Sequence, residues 1–224
     1  MRESAPFKRE SDLIAVLSQH ARSEVLGPKL SRRSLAFPHL QIGMTIPDLL
    51  FIAIRAALPA KPLRPVRLTG FDAWVVTALQ RGGVLRVDEI ARELHANNER
   101  VRLAIGRLHH YRLLARTSDS TYRLNRRRLP LKAEVVAVEA KLTRWTDAIT
   151  QALSYLSFAN RSYVALPQRT VLKSKRVKDA CLDSGIGLLS VGKSNAQVLV
   201  RATRREPLSP ERVWLIWKTL GLRP

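Results

Sequence analysis

A carboxylate and an ammonium group lie two residues apart in an otherwise apolar segment, at Glu139 and Lys141. Apolar residues alternate through this segment with a period of two, which predicts a strand beginning near Glu134. Glu139 and Lys141 then project from the same face of that strand. Burial of charges is costly unless they are paired or bind a metal. The pair therefore indicates either a structural ion pair or a site where a carboxylate binds a metal and the ammonium stabilises negative charge.

The segment after Lys141 changes to a helical period. Its predicted core stripe is Trp145, Ile149, Ala152, Leu153 and Leu156. Gln151 and Tyr155 are four residues apart and should lie on one flank of the helix.

A second acidic residue opens the apolar segment from Ile46 to Ile54. Pro47 and Asp48 begin this predicted strand, where proline is tolerated because the first residue need not donate to the sheet. Asp48 is thus a second candidate acid, and an aspartate in a turn before the strand is the structural alternative. Two carboxylates and a lysine would suit phosphodiester cleavage, because Mg²⁺ prefers hard oxygen ligands and activates water.

These motifs together resemble the PD-(D/E)xK, or restriction-endonuclease-like, nucleases. The Gln-x-x-x-Tyr part, Gln151 to Tyr155, is similar to the additional motif of their RecB-type branch. The resemblance covers about residues 7–56 and 133–203. It implies an α/β fold with a mixed-sheet core flanked by helices, and hydrolysis of nucleic acid that depends on Mg²⁺ or Mn²⁺.

The resemblance also implies roles for individual residues. Asp48 would lie on a strand adjacent to that of Glu139. Asp48, Glu139 and the carbonyl of Ala140 would bind the metal, and Lys141 would orient the attacking water. Gln151 and Tyr155 would position the substrate backbone. Glu24 follows a helix predicted for residues 6–22 and could match an extra metal-site glutamate of resolvase-like members; a surface or capping role is the alternative.

The chain departs from the family pattern in the long separation between Asp48 and Glu139. Proline- and arginine-rich connectors at residues 58–65 and 126–130 bound an inserted segment. Three predicted helices and a hairpin within it resemble a winged helix-turn-helix. Its third helix, residues 98–111, should be buried through Val101, Ala104, Ile105 and Leu108. We therefore predict core parts at residues 1–57 and 133–224, with the insert at residues 58–132.

The charge of the chain favours a polyanionic partner. Lys and Arg number 39 against 18 Asp and Glu, and the formal net charge is +21. The insert carries a large share of that excess, and an anionic membrane surface ranks below nucleic acid. The winged helix and the lack of aromatic stacking motifs favour duplex DNA over RNA. Winged helices also serve as protein interfaces, which is the alternative for the insert. The predicted nucleic-acid-binding residues are Asn97, Asn98, Arg100, Arg102, Arg107, Arg123, Arg126, Arg127 and Arg128.

Several other classes of protein fit the sequence poorly. The single Cys181 excludes an internal disulfide and is compatible with a reducing cytoplasm, and the five histidines lack zinc-ligand spacing. No apolar run approaches the length of a membrane span. A DNA-binding regulator with an inactive nuclease-like core, or a basic RNA-binding protein, remain the competing interpretations. A homodimer is left open, with the helix of Trp214 and Trp217 as its candidate surface.

Overall fold

The computed structural model describes residues 7–54, 68–117, 120–125 and 133–219. The chain forms two compact units. The first comprises Met1–Arg55 and Glu134–Pro207, and the second comprises Ala56–Ala133 and Leu208–Pro224. The C-terminal segment therefore belongs with the inserted segment, whereas the sequence predicts a continuous core part over residues 133–224.

The first unit is built on a six-stranded mixed sheet. Its strands are β1 (Ser34–Pro38), β2 (Leu49–Ile54), β6 (Ala133–Ala140), β7 (Arg161–Pro167), β8 (Gly187–Val191) and β9 (Ala196–Val200). They lie in the order β1-β2-β6-β7-β8-β9. β1 and β2 are antiparallel, β6 to β8 are parallel, and β9 returns antiparallel to β8. The strands β6, β7 and β8 are almost wholly buried, as parallel strands covered on both faces should be.

Helices cover both faces of this sheet. They are α1 (Glu10–Leu26), the short α2 (Pro28–Ser31), α6 (Trp145–Ser154), α7 (Gln168–Leu172) and α8 (Lys175–Ser184). Val136 and Val138 face the apolar core beneath α1, whereas Val164 and Leu166 face the core beneath α6 and α8. The protein is therefore an α/β protein whose mixed sheet is flanked by helices, as the sequence predicts at this level.

A close approach between β7 and β8 requires a glycine. The ring of Tyr163 lies so near Gly187 that a Cβ at position 187 would overlap it. Tyr163 pairs with Gly187 across the parallel strands and is fully buried. Any larger residue at position 187 would displace the ring from the core, because protein interiors leave no free space of that size.

The second unit combines helices with a small sheet. In chain order it contains α3 (Gly70–Gly82), β3 (Val84–Arg86), α4 (Val87–Glu93), α5 (Asn98–His110), β4 (Leu114–Arg116), β5 (Thr121–Leu124) and α9 (Pro210–Thr219). The sheet is antiparallel with the order β3-β5-β4. The predicted buried stripe of α5 is confirmed, because the exposed fraction of Val101, Ala104, Ile105 and Leu108 is at most 4% each. The short strand β3 was not predicted.

Several local predictions were wrong. The first helix covers Glu10–Leu26 instead of residues 6–22. Leu153 was assigned to a core stripe but is 42% exposed. The single helix expected over residues 168–183 is divided into α7 and α8, and Leu172 and Leu182 face solvent. Trp217 is 1% exposed within the second unit, so it is not available as a dimer surface.

Two predictions about chemistry outside the site can also be compared with the structure. Cys181 is buried on α8, as expected for an inert thiol, and burial raises its pKa to about 11. Among the described helices, none has both the length and the apolar character needed to cross a membrane.

Candidate functional site

Neighbouring strands bring Asp48 and Glu139 together despite the long insert between them. Asp48 immediately precedes β2, and Glu139 is the penultimate residue of the adjacent strand β6. The Asp48 Oδ2 atom accepts a hydrogen bond of 2.8 Å from the backbone N–H of Ala140. The start of β2 therefore meets the end of β6, and the Asp48 carboxylate is fixed one residue from Glu139.

Glu139 lies at the centre of the site. Its side chain is 3% exposed and both of its oxygens are hydrogen-bonded. Oε1 accepts from Lys141 Nζ at 2.6 Å, and Oε2 accepts from the Tyr155 hydroxyl at 2.5 Å. The structure thus brings together Asp48, Glu139, Lys141 and Tyr155, four of the six residues predicted as catalytic.

The pKa of Glu139 is raised above its usual value. Burial is the largest cause, and the negative charge of Asp48 adds to it, while the hydrogen bonds from Lys141 and Tyr155 act in the opposite direction. Burial and the hydrogen bond to Glu139 also raise the pKa of Tyr155. The phenol therefore stays protonated and donates to the carboxylate throughout the neutral range.

Lys141 carries a stable positive charge. Burial alone would lower its pKa, but the hydrogen bond and charge of Glu139, with smaller contributions from Asp48 and Glu10, raise it above the usual value. A lysine with a raised pKa stays protonated near pH 7 and cannot act as a general base. The ammonium can instead neutralise negative charge or donate hydrogen bonds to a water or a phosphate oxygen.

The glutamate of the first helix that reaches the site is Glu10, not Glu24. Glu10 Oε2 lies 3.8 Å from Lys141 Nζ. Glu24 follows fourteen residues later in the same helix α1, which places it about 21 Å further along the axis. The proposed metal-site role of Glu24 is therefore wrong. Sequence reasoning missed Glu10 because an acidic residue in the first turn of a helix is explained by the helix dipole alone.

Gln151 and Tyr155 have different surroundings although one helical turn separates them. Tyr155 is buried, whereas Gln151 is exposed on α6. The described residues show no hydrogen bond from the Gln151 side chain to Asp48, Glu139 or Lys141. Tyr155 thus acts on Glu139 directly, and Gln151 can contribute only by contacting a bound molecule.

Two further residues of the first unit, His39 and Glu134, lie beside groups of opposite charge type. His39 Nδ1 lies 3.8 Å from Asp48 Oδ1, at the base of the β1–β2 hairpin. Glu134 is fully buried near the start of β6 but is bound by Arg161 and Arg204, at 2.8 and 3.2 Å. Glu134 is therefore a structural ion-pair residue, in agreement with its assignment to the other face of the strand.

The donor set at Asp48 and Glu139 fits a hard divalent cation. Mg²⁺ commonly binds through one or two carboxylates, with waters and substrate phosphates as its remaining ligands. Carboxylate oxygens that already accept one hydrogen bond keep a further lone pair for a metal. The described part of the chain contains no cluster of three or more His, Cys, Asp or Glu side chains that could hold a metal. A cation here would therefore depend strongly on water and substrate.

In the second unit, several predicted DNA-binding residues have structural contacts. The Asn97 side chain accepts a hydrogen bond of 2.8 Å from the Arg100 N–H and caps α5. The Arg100 guanidinium stacks on the Phe71 ring at 4.2 Å. Arg102 and Arg123 are exposed, as is Asn98, the first residue of α5. Arg126, Arg127 and Arg128 lie outside the described residues.

Arg107 has a structural role within the second unit. It binds the fully buried carboxylate of Asp72, with Nη2 2.8 Å from Oδ1 and Nε 3.2 Å from each oxygen. Asp72 also accepts hydrogen bonds from the backbone and hydroxyl of Thr69 at the start of α3. Arg107 thus joins α5 to α3, a structural role that the sequence did not predict, and the DNA contact assigned to it stays a prediction.

Comparisons with known proteins give little further information about this site. No family model matches the chain, and no curated protein sequence matches it. One solved structure, a protein of unknown function from Silicibacter pomeroyi, shows 14% identity and a TM-score of 0.30. The match covers 72% of this chain and 85% of that protein.

Proposed function

We propose that the protein is a metal-dependent nuclease that cleaves DNA at Asp48, Glu139 and Lys141. The observation that carries this proposal is the buried Glu139 carboxylate, which lies between Lys141 and Tyr155, with Asp48 fixed just before the adjacent strand β2. Burial raises the pKa of Glu139 and the negative charge of Asp48 adds to it, and groups with perturbed pKa values tend to cluster at functional sites.

The order of elements in the first unit supports the resemblance to the restriction-endonuclease-like nucleases. A Pro-Asp strand β2 lies beside the Glu-x-Lys strand β6, and the helix α6 then connects β6 to the parallel strand β7. Adjacent strands for the two acidic motifs are what the resemblance implies. The insert between β2 and β6 leaves this adjacency intact.

The residues of the site have separable roles in the proposed reaction. Asp48 and Glu139 would hold Mg²⁺ or Mn²⁺, which when bound supplies an activated water and stabilises charge on the leaving oxygen. Lys141 would bind a phosphate oxygen or the attacking water through its ammonium. Tyr155 keeps the Glu139 carboxylate oriented through its hydrogen bond of 2.5 Å.

The second unit supports duplex DNA as the substrate. Its helices α3, α4 and α5, followed by the strands β4 and β5, have the order expected for a winged helix-turn-helix. In such modules the third helix enters the major groove. Among the described residues, Arg102 on α5 and Arg123 on β5 are exposed and can contact phosphates.

A cleavage assay tests this function. Wild-type protein and Lys141→Ala would be incubated with linear, supercoiled and single-stranded DNA, and with RNA, in Mg²⁺, Mn²⁺ or chelator. Metal-dependent cutting that Lys141→Ala lowers at least about a hundredfold is expected. Lys218→Ala on α9 is a matched control, because Lys218 is an exposed lysine that stacks on Trp214.

A DNA-binding regulator with an inactive core is the second candidate. It is favoured by the absence of a third carboxylate ligand among the described residues and by the hydrogen bonds that already satisfy both Glu139 oxygens. Tight, salt-sensitive DNA binding without cutting in any metal would support the regulator and overturn the nuclease.

A further inference from the structure

An exposed apolar side chain stands at the tip of the hairpin that carries Asp48. Met44 occupies the turn between β1 and β2 and is fully solvent-exposed, at 101% of its reference area. Ile46, two residues later, is 51% exposed. The Met44 side chain is therefore free to contact a bound molecule at the tip of this hairpin.

The tip is rigid as well as exposed. Ile42 and Thr45 exchange two backbone hydrogen bonds, of 2.8 and 3.1 Å, across a two-residue turn. Gly43 has a φ of 58° at the first central position, which is the conformation required there by a type II′ hairpin turn. Ile42 is 1% exposed and anchors the turn in the protein. Met44 therefore projects into solvent from a turn that is anchored in the protein.

The same hairpin is tied to the catalytic residues. The His39 N–H donates to the carbonyl of Asp48 at 3.2 Å, which closes the base of the turn. The Tyr155 hydroxyl lies 3.4 Å from the Ile46 carbonyl while it donates to Glu139. Three residues lie between Met44 and Asp48, so their Cα atoms are at most about 14 Å apart, a span of about four base steps.

We propose that Met44 is a wedge that inserts between stacked bases within about four base steps of the phosphate to be cut. This inference rests on the proposed nuclease function and deepens it, because it makes local opening of the duplex part of substrate recognition. Proteins that kink DNA use single apolar side chains, methionine among them, to separate one base step. The flexible and polarisable methionine side chain adapts to either neighbouring base.

A protein partner explains the exposed tip less well. A stable protein interface buries about 800 Å² on each partner, far more than one side chain on a two-residue turn provides. The strongly positive chain also favours a polyanion over most protein surfaces. A stacked nucleobase, in contrast, is a flat apolar surface that a single side chain can cover.

Base opening can be measured separately from cleavage. Duplexes with 2-aminopurine at several positions would be bound in chelator by wild type, Met44→Ser and Leu35→Ser, and binding would be followed by anisotropy. Leu35 on β1 is 49% exposed and lies at the opposite end of the hairpin. We expect a two- to threefold rise in fluorescence with wild type and Leu35→Ser, and none with Met44→Ser at saturation.

A pre-opened substrate then tests the role of the wedge in cleavage. Met44→Ser is expected to cut fully paired duplex at least tenfold more slowly than wild type, and to regain most of that rate beside a two-base mismatch. Normal binding and cutting with no fluorescence rise, or with the same rise in Met44→Ser, would overturn the wedge and leave the nuclease standing. A protein that binds no nucleic acid would overturn both.

Discussion

Tyr155 donates a hydrogen bond of 2.5 Å to the Oε2 atom of Glu139, across from the Lys141 ammonium on Oε1. The carboxylate is therefore held from both sides by residues that belong to different elements, the turn after α6 and the end of β6. Its orientation is fixed before any substrate arrives, as electrostatic preorganisation requires.

Replacement of Tyr155 by phenylalanine should change the acid limb of the pH profile. The hydrogen bond favours the ionised carboxylate, so its loss should raise the pKa of Glu139 further. Activity that needs ionised Glu139 is present above that pKa and is lost as the pH falls through it. We expect the acid limb of cleavage in Tyr155→Phe to move to higher pH, measured as initial rate against pH in Mg²⁺. An unchanged limb would show that Glu139 does not control the profile.

The same substitution should also affect stability. A hydrogen bond to a charged group contributes about 1.5–3 kcal/mol, and Tyr155→Phe would leave a buried carboxylate oxygen without its donor. Urea unfolding near pH 7 should therefore show a loss in this range. Ser154→Ala serves as the control, because the exposed Ser154 hydroxyl bonds only to the neighbouring Gln151 carbonyl.

Lys141 should act through its charge instead of as a base. Because its pKa is raised, the ammonium persists until the pH rises above the usual lysine value of about 10.4, and charge-dependent activity is lost only there. Cleavage should therefore show no alkaline limb between pH 7 and about 9.5.

The conservative variant Lys141→Arg makes this prediction sharper. It keeps the positive charge but changes the geometry, so we expect a rate between those of wild type and Lys141→Ala. A general base would lose all activity in both variants. A rate in Lys141→Arg no higher than in Lys141→Ala, with both proteins folded, would contradict the charge-based role.

The sequence predicted these central residues because each is marked by a local pattern. The alternation around Glu139 and Lys141 specifies a strand, and the Pro47–Asp48 pair specifies where the neighbouring strand begins. The identity of the adjacent strand, by contrast, depends on residues far apart in the chain. It was inferred from the family resemblance, and the structure agrees with it.

Other features could not be predicted because their partners are distant in sequence. Nothing near Glu10 indicates that α1 begins beside Lys141, and nothing near Arg107 indicates the buried Asp72. The exposed Leu153 follows the helical period of its neighbours closely enough to be mistaken for a core residue. Periodicity identifies a face of a helix, but only the packed structure shows how wide the buried part of that face is.

Glu10 and Glu24 provide a matched pair on one helix. Glu10 lies 3.8 Å from Lys141 Nζ and is 43% exposed, so its ion pair is worth at most about 1 kcal/mol. We expect Glu10→Gln to lower the cleavage rate by up to about fivefold at low salt, and less at high salt. Glu24→Gln, on the same helix but remote from the site, should keep the wild-type rate. A larger loss in Glu24→Gln than in Glu10→Gln would reverse our assignment.

Arg102 and Arg107 provide a second matched pair, on α5. Arg107→Ala leaves the fully buried Asp72 without its guanidinium partner, although Thr69 still donates to it. Loss of one partner of a buried ion pair costs about 3–5 kcal/mol, and the Thr69 contacts should reduce this to about 2–3 kcal/mol. Thermal unfolding of Arg107→Ala should therefore begin at a distinctly lower temperature.

Arg102→Ala should weaken DNA binding without lowering stability, because Arg102 is exposed on α5. We expect wild-type stability, weaker binding to all DNA sequences, and a log–log salt slope that is smaller by about one. Binding would be measured by anisotropy from low to moderate salt, with circular dichroism melting as the control for folding. If Arg102→Ala binds DNA as tightly as wild type at every salt concentration, then α5 is not the DNA-binding helix, and the second unit would more reasonably bind a protein.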